Sequence, residues 1–148
     1  MDPNSPEFKA YQNLLEAHRG LKALIREIDE ALGAQTRSIV EVSRLVARLG
    51  DQLVKHFAME EDGGYFADAL THAPQLIARA NALLAQHPMM RTQAKTILVD
   101  LGSAEGQEHW WEETTQRFRA FKAELLRHEM REDKLLQEAY LQDIGSHD

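Results

Sequence analysis

Leu125-Leu-Arg-His128-Glu-Met-Arg-Glu132 places a histidine and a glutamate four residues apart in a segment whose other periodic positions are mostly apolar. Trp111, Thr114, Phe118, Phe121, Leu125, His128, Glu132, Leu135 and Ala139 recur at steps of three and four, the spacing of one helix face. On that face His128 and Glu132 stand where core leucines belong. Three more stripes lie upstream. Leu14, His18, Leu21, Ile25, Ile28 and Leu32 form the first. Val42, Val46, Leu49, Leu53, His56 and Glu60 form the second, which also ends in His-x-x-x-Glu. Ala80, Leu83, His87, Met90, Ala94, Ile97 and Leu101 form the third. Six ionisable side chains therefore fall in core positions. Burying them is unfavourable unless something charged sits among them, and a metal ion is the simplest such charge.

Breakers separate the stripes. Gly33 is expected to end the first helix, and Thr36 or Ser38 to cap the second. Asp62-Gly63-Gly64 ends the second. The third opens near Thr71 with Pro74 in its first turn, and Gly102-Ser-Ala-Glu-Gly106 closes it. Pro88 predicts a kink near Leu84–His87, not a break, because the apolar stripe keeps its phase on both sides. Strand-like alternation is absent from the sequence. Four helices of roughly 25–35 residues with short connections predict an all-α, up-down-up-down antiparallel four-helix bundle. Residues 9–145 are read as this single domain, residues 1–8 as a disordered cloning leader and 146–148 as a disordered tail.

Composition narrows the functional classes. The 148 residues carry 17 basic and 24 acidic side chains, a net charge of −7, with no basic stripe. Nucleic acid and anionic membrane surfaces are disfavoured as partners. No apolar run reaches the roughly 20 residues that a membrane span needs. Without cysteine, neither a disulfide framework nor a thiolate metal site can form. The expected location is cytoplasmic.

Turn arithmetic gathers the histidines. In an antiparallel hairpin, residues equidistant from the turn lie at one height. The midpoint of His18 and His56 is Arg37, that of His56 and His87 falls between Thr71 and His72, and that of His87 and His128 falls between Gln107 and Glu108. All three fall at or beside predicted turns. The four histidines should therefore meet in one layer, some 20–30 Å from either end of the bundle at about 1.5 Å rise per residue. His109 and Glu113 repeat the His-x-x-x-Glu spacing, but His109 should lie about 28 Å from this layer along the axis. They are read as solvated, as are His72 near a turn and His147 in the tail. Glu61 and Glu129 adjoin predicted ligands but point about 100° away, so each is read as a residue supporting the ligands from outside or as a surface residue, rather than as a ligand. Tyr65, after the Gly-Gly breaker, is left undecided between closing the bundle end and bonding inward.

His18, His56, Glu60, His87, His128 and Glu132 are thus the candidate metal ligands. Residues four apart share a helix face, so one helix can present an imidazole and a carboxylate to the same ion. Four imidazoles and two carboxylates exceed one tetrahedral zinc. They suit two metals bridged by carboxylates, with iron or manganese favoured by the mixed nitrogen and oxygen donors.

One histidine, His-x-x-x-Glu, one histidine and His-x-x-x-Glu on successive helices resembles the hemerythrin-like, HHE cation-binding family over almost the whole chain. The resemblance implies two iron ions, oxo- or hydroxo-bridged, with manganese or zinc substitution as alternatives. It implies that His18 and His56 serve mainly one ion, that His87 and His128 serve the other, and that Glu60 and Glu132 bridge. The chain departs from the oxygen-carrying members, which place two histidines four apart on the third helix. Here the positions four from His87 are Leu83 and Arg91. By count, both ions then keep an open or water-filled position, which weakens reversible oxygen storage as the reading. The expected function is binding, sensing or reduction of a small ligand (O2, NO or peroxide). The alternative is a structural or regulatory interaction module that reports iron or redox state without turnover. No catalytic residue beyond the metal ligands stands out. Leu14, Leu53, Phe57, Leu84, Phe121 and Leu125 are the apolar side chains expected to restrict solvent.

Overall fold

The computed structural model describes residues 6–62, 66, 70–71, 73–99 and 106–145. Helix α1 spans Pro6–Ala34, α2 Ile39–Asp62, α3 Ile77–Leu84, α4 His87–Lys95 and α5 Gly106–Gly145, with a 3-10 turn at Pro74–Leu76. No strand occurs among the described residues. The segment α3–α4 fills the place of the third expected helix, so the all-helical, four-part reading holds. Helix α1 takes in Pro6–Phe8 of the expected disordered leader. Gly63, Gly64, Tyr65, His72, Leu101, Gly102 and His147 lie outside the described residues.

Helix ends follow local chemistry, with two corrections. Helix α1 runs past Gly33 to Ala34, and the residue in the left-handed region is Gln35, at φ 52°. Its N–H donates to the Ala31 carbonyl at 3.1 Å, closing the last turn. Of the two expected caps, Ser38 is the one used: its Oγ accepts from the Glu41 N–H at 3.2 Å.

The second correction concerns Pro88. The expected kink is an interruption that divides the segment into α3 and α4. Ala85 and Gln86 keep right-handed helical angles, but the hydrogen-bond ladder shortens by one residue there. Ala85 N–H donates to Asn81 at 3.0 Å, Gln86 N–H to Leu83 at 3.1 Å, and Met90 N–H resumes the ladder to Gln86 at 3.1 Å. Pro88 has no N–H for the Leu84 carbonyl, which is the physical cause. Helix α4 also stops at Lys95, short of Leu101, because the Thr96 N–H and hydroxyl both turn back to the Gln93 carbonyl at 3.0 Å. Ile97 remains buried although it lies outside the helix.

Helix α1 packs against α2 and α5, α2 against α4, and both α3 and α4 against α5. The predicted stripes face inward almost throughout. The exception is Trp111, half-buried, whose core position is taken by Trp110. The two rings meet edge to face at 5.1 Å.

The core comes in two pieces. The larger joins Leu21–Leu32, Val42–Phe57, Met90–Ile97 and Trp110–Leu125 through their buried members. The smaller joins Leu14, Phe66, Ala73, Leu76, Ala80, Leu83, Leu135, Leu136 and Ala139. On α1, on α3–α4 and on α5 the predicted metal-binding residues fall between the two pieces in sequence. A polar layer therefore divides an otherwise apolar interior.

Candidate metal centre

His18, His56, Glu60, His87, His128 and Glu132 are all buried. The helical stripes place them there, since each sits one turn from an apolar neighbour: Leu14 and Leu21, Leu53 and Phe57, Leu83 and Met90, Leu125 and Leu135. His109 of the matching-spacing pair is exposed, and Glu113 is paired with Arg117 at 3.7 Å.

Three imidazoles are oriented from outside the layer. His18 Nδ1 donates to Asp133 Oδ1 at 2.7 Å, His87 Nδ1 to Glu61 Oε1 at 3.2 Å and His128 Nδ1 to the Gln86 amide oxygen at 2.8 Å. A proton on Nδ1 leaves Nε2 with a bare lone pair. His87 Nε2 and His128 Nε2 then face each other at 3.1 Å with no proton between them. Two lone pairs at that distance repel unless a cation sits beside both. His56 differs, because its buried Nδ1 has no hydrogen-bond partner.

The carboxylates are equally unpartnered. Both oxygens of Glu60, Glu129 and Glu132 are buried without a hydrogen bond, as is Nε2 of His18 and of His56. They are nonetheless crowded together. Glu60 Oε1 lies 3.1 Å from His56 Nε2 and 3.6 Å from His87 Nε2. Glu132 Oε1 lies 2.5 Å from His128 Nε2, close but not in hydrogen-bond geometry. Donor atoms that approach one another without bonding are converging on a common point. Two donors held by one ion at about 2.1 Å lie roughly 3.0–3.4 Å apart at octahedral or tetrahedral angles, and most of these separations fall in or near that range.

The groups form two sets. His18, His56, Glu60 and Glu132 offer donor atoms within 4.8 Å of one another, and so do Glu60, His87, His128 and Glu132. The two glutamates belong to both sets.

Electrostatics favours the same reading. Burial, reinforced by the neighbouring imidazoles, pushes His56 down to about 3. His128 is likewise held down to about 3 by burial, with His87 and His18 adding to it. His87 is lowered by burial, against the pull of Glu61. Burial raises Glu129 to about 8 and lifts Glu132 well above the carboxylate range, with Asp133 adding to both. Neutral imidazoles beside carboxyls that resist ionisation are costly alone, and a bound cation inverts that balance.

Residues 9–140 match the model of the hemerythrin HHE cation-binding domain. The chain belongs to the hemerythrin HHE family. No curated protein and no solved structure matches it. As a hemerythrin domain it is a cation-binding bundle, and its two His/Glu clusters could hold a metal ion.

Sequence reasoning on this hemerythrin chain did not single out Gln86 or Asp133, nor the full burial of Glu129. Glu61, expected as an outer supporting or surface residue, joins Gln86 and Asp133 in supplying the outer hydrogen bonds, and Glu129 is buried in the layer. A signal for the last two was present: Glu129 and Asp133 repeat the four-residue spacing of His128 and Glu132 one position further on. Helix α5 touches α1 as well as α3 and α4, so its buried arc is wider than a single stripe. Leu135 and Leu136 are both buried for the same reason.

Proposed function

We propose that this hemerythrin domain holds two iron ions, with His18 and His56 on one, His87 and His128 on the other, and Glu60 and Glu132 bridging. We propose further that it uses them to bind, sense or reduce a small ligand such as O2, NO or hydrogen peroxide. The observation that carries this reading is the pair of four-donor sets sharing Glu60 and Glu132. Mixed imidazole and carboxylate donors suit iron or manganese. The up-down-up-down chain order belongs to the same proposal, since it would bring one histidine from each helical segment to one level.

When bound, the ions supply redox electrons and coordination positions for the small ligand. The protein's own part is to fix donors and exclude water. Asp133, Glu61 and Gln86 hold three imidazoles in one tautomer and orientation. Phe57 stacks face to face on His87, with ring centroids 3.9 Å apart, and seals that imidazole from solvent. Leu14, Leu53, Phe121 and Leu125 are fully buried on the stripes that carry the ligands, while Leu84 is half-buried and closes the layer less completely.

The test is the absorption spectrum of anaerobically reduced, iron-loaded protein before and after addition of O2, NO and peroxide in separate samples. The proposal expects a ligand-dependent spectrum with at least one of them, lost in Glu132→Ala and changed in His56→Ala. An iron-loaded protein inert to all three overturns it.

A further inference from the structure

Glu129 is the one buried carboxylate of the layer that the two shared-glutamate sets leave out. It is almost fully inaccessible, with 1 % of its surface exposed, and neither oxygen makes a hydrogen bond. Its Oε2 lies 3.4 Å from His18 Nε2 and its Oε1 lies 3.8 Å from His56 Nε2. Both imidazoles belong to the same half of the layer. An O–H donor engaged with the free lone pair of His18 would sit at about 2.5–3.0 Å, so Glu129 makes no hydrogen bond to that nitrogen. A carboxyl group turned toward two imidazole nitrogens, bonded to neither, is placed as a donor to whatever those nitrogens hold.

We propose that Glu129 is a seventh metal ligand, bound only to the His18–His56 ion, so that an incoming small ligand enters at the His87–His128 ion. This rests on the two-ion reading above. With Glu129, the first ion has five protein side chains around it: His18, His56, Glu129, Glu60 and Glu132. The second has four: His87, His128, Glu60 and Glu132. An octahedral ion in the first half is nearly filled by protein, while the second half keeps room. The absence of a second histidine on the third helical segment then becomes the opening, and Glu129 supplies the compensating donor on the opposite side.

The experiment loads anaerobically reduced protein with isotopically enriched ferrous iron and records Mössbauer spectra of wild type, Glu129→Leu and Glu129→Gln. Wild type should give two quadrupole doublets of equal area. Both variants should change one doublet and leave the other. Chelator competition should show one ion weakened by more than the roughly 10–100-fold typical of losing an outer hydrogen bond, and the second unchanged. Nitric oxide added to wild type should first alter the doublet that the variants leave alone. Unchanged doublets in both variants overturn the proposal, as do two equally changed doublets or NO taking the Glu129-sensitive ion first. Removing an unpartnered buried carboxyl should not destabilise the metal-free fold, so metal-free Glu129→Leu should melt no lower than wild type, and Glu129→Gln preserves shape. Wild type with fewer than two irons per chain would instead sink the two-ion reading, a result distinct from either outcome for Glu129.

Discussion

His18 and His56 sit inside two uninterrupted helices, whereas His87 opens α4 and His128 faces the joint that precedes it. The outer support differs accordingly. In the first half only His18 has an outer acceptor, Asp133, and His56 Nδ1 has none. In the second half both imidazoles are held, by Glu61 at the end of α2 and by Gln86 in the joint between α3 and α4. Glu61 is itself engaged by Arg91 at 3.4 Å. One half is thus packed with carboxylates on continuous helices. The other is tuned by residues at helix ends, where backbone is freer to adjust. A closed ion beside an exchangeable one is the arrangement this contrast favours.

The largest effects should come from the residues that both halves share. Glu132→Ala, and equally Glu60→Ala, should lose both ions, as read by metal analysis after desalting. Retention of one tightly held ion in either variant would mean that the halves are independent. Next come the residues belonging to one half. His18→Ala should leave one ion per chain, bound through His87 and His128, and His87→Ala should leave the other. If either variant loses both, the halves assemble only together.

Outer hydrogen bonds should matter less. Gln86→Ala should weaken metal in the second half by about 10–100-fold in chelator competition, with the first half unaffected. A uniform loss would place Gln86 in folding rather than in orienting His128.

The smallest effect is a pH dependence of the metal-free protein. His56 and His128 are held at about 3, below their ordinary 6.5, so the unfolded chain takes up protons that the folded one refuses. Stability is therefore lost as pH falls from about 6.5 toward 3. Glu129 is held at about 8, above its ordinary 4.5, with Glu132 shifted in the same direction. The folded chain keeps a proton that the unfolded one releases, so stability is also lost as pH rises from about 4.5 to 8. Chelated protein should melt at lower temperature at pH 8 than at pH 6.5, and Glu129→Gln should shrink that difference. A flat melting temperature over this interval would contradict the buried, unpartnered state of Glu129.

Much of this contrast was legible in the amino-acid order, and its asymmetry was not. The stripes at steps of three and four placed Leu21, Ile28, Leu49, Phe118 and Leu125 in the core, and the turn midpoints brought the histidines together. Periodicity works there because burial of one helix face dominates the energetics. Three features lay beyond what the stripes encode. Glu129 became buried because α5 is covered on two sides. The segment around Pro88 divided because a lost N–H shortened the ladder at Gln86, which also carried that amide to His128. Helix α1 ran to Ala34, with Gln35 rather than Gly33 as the left-handed residue that closes the last turn on the Ala31 carbonyl.

A metal count tests the two-ion layer most directly. Protein purified from iron-supplemented cells and analysed by mass spectrometry against amino-acid content should carry two iron ions per chain. His56→Ala and His128→Ala should each reduce that number, while His109→Ala should leave it at two. A chain with no stoichiometric metal, or one whose metal departs with His109 and survives the loss of His128, would contradict the layer and everything built on it.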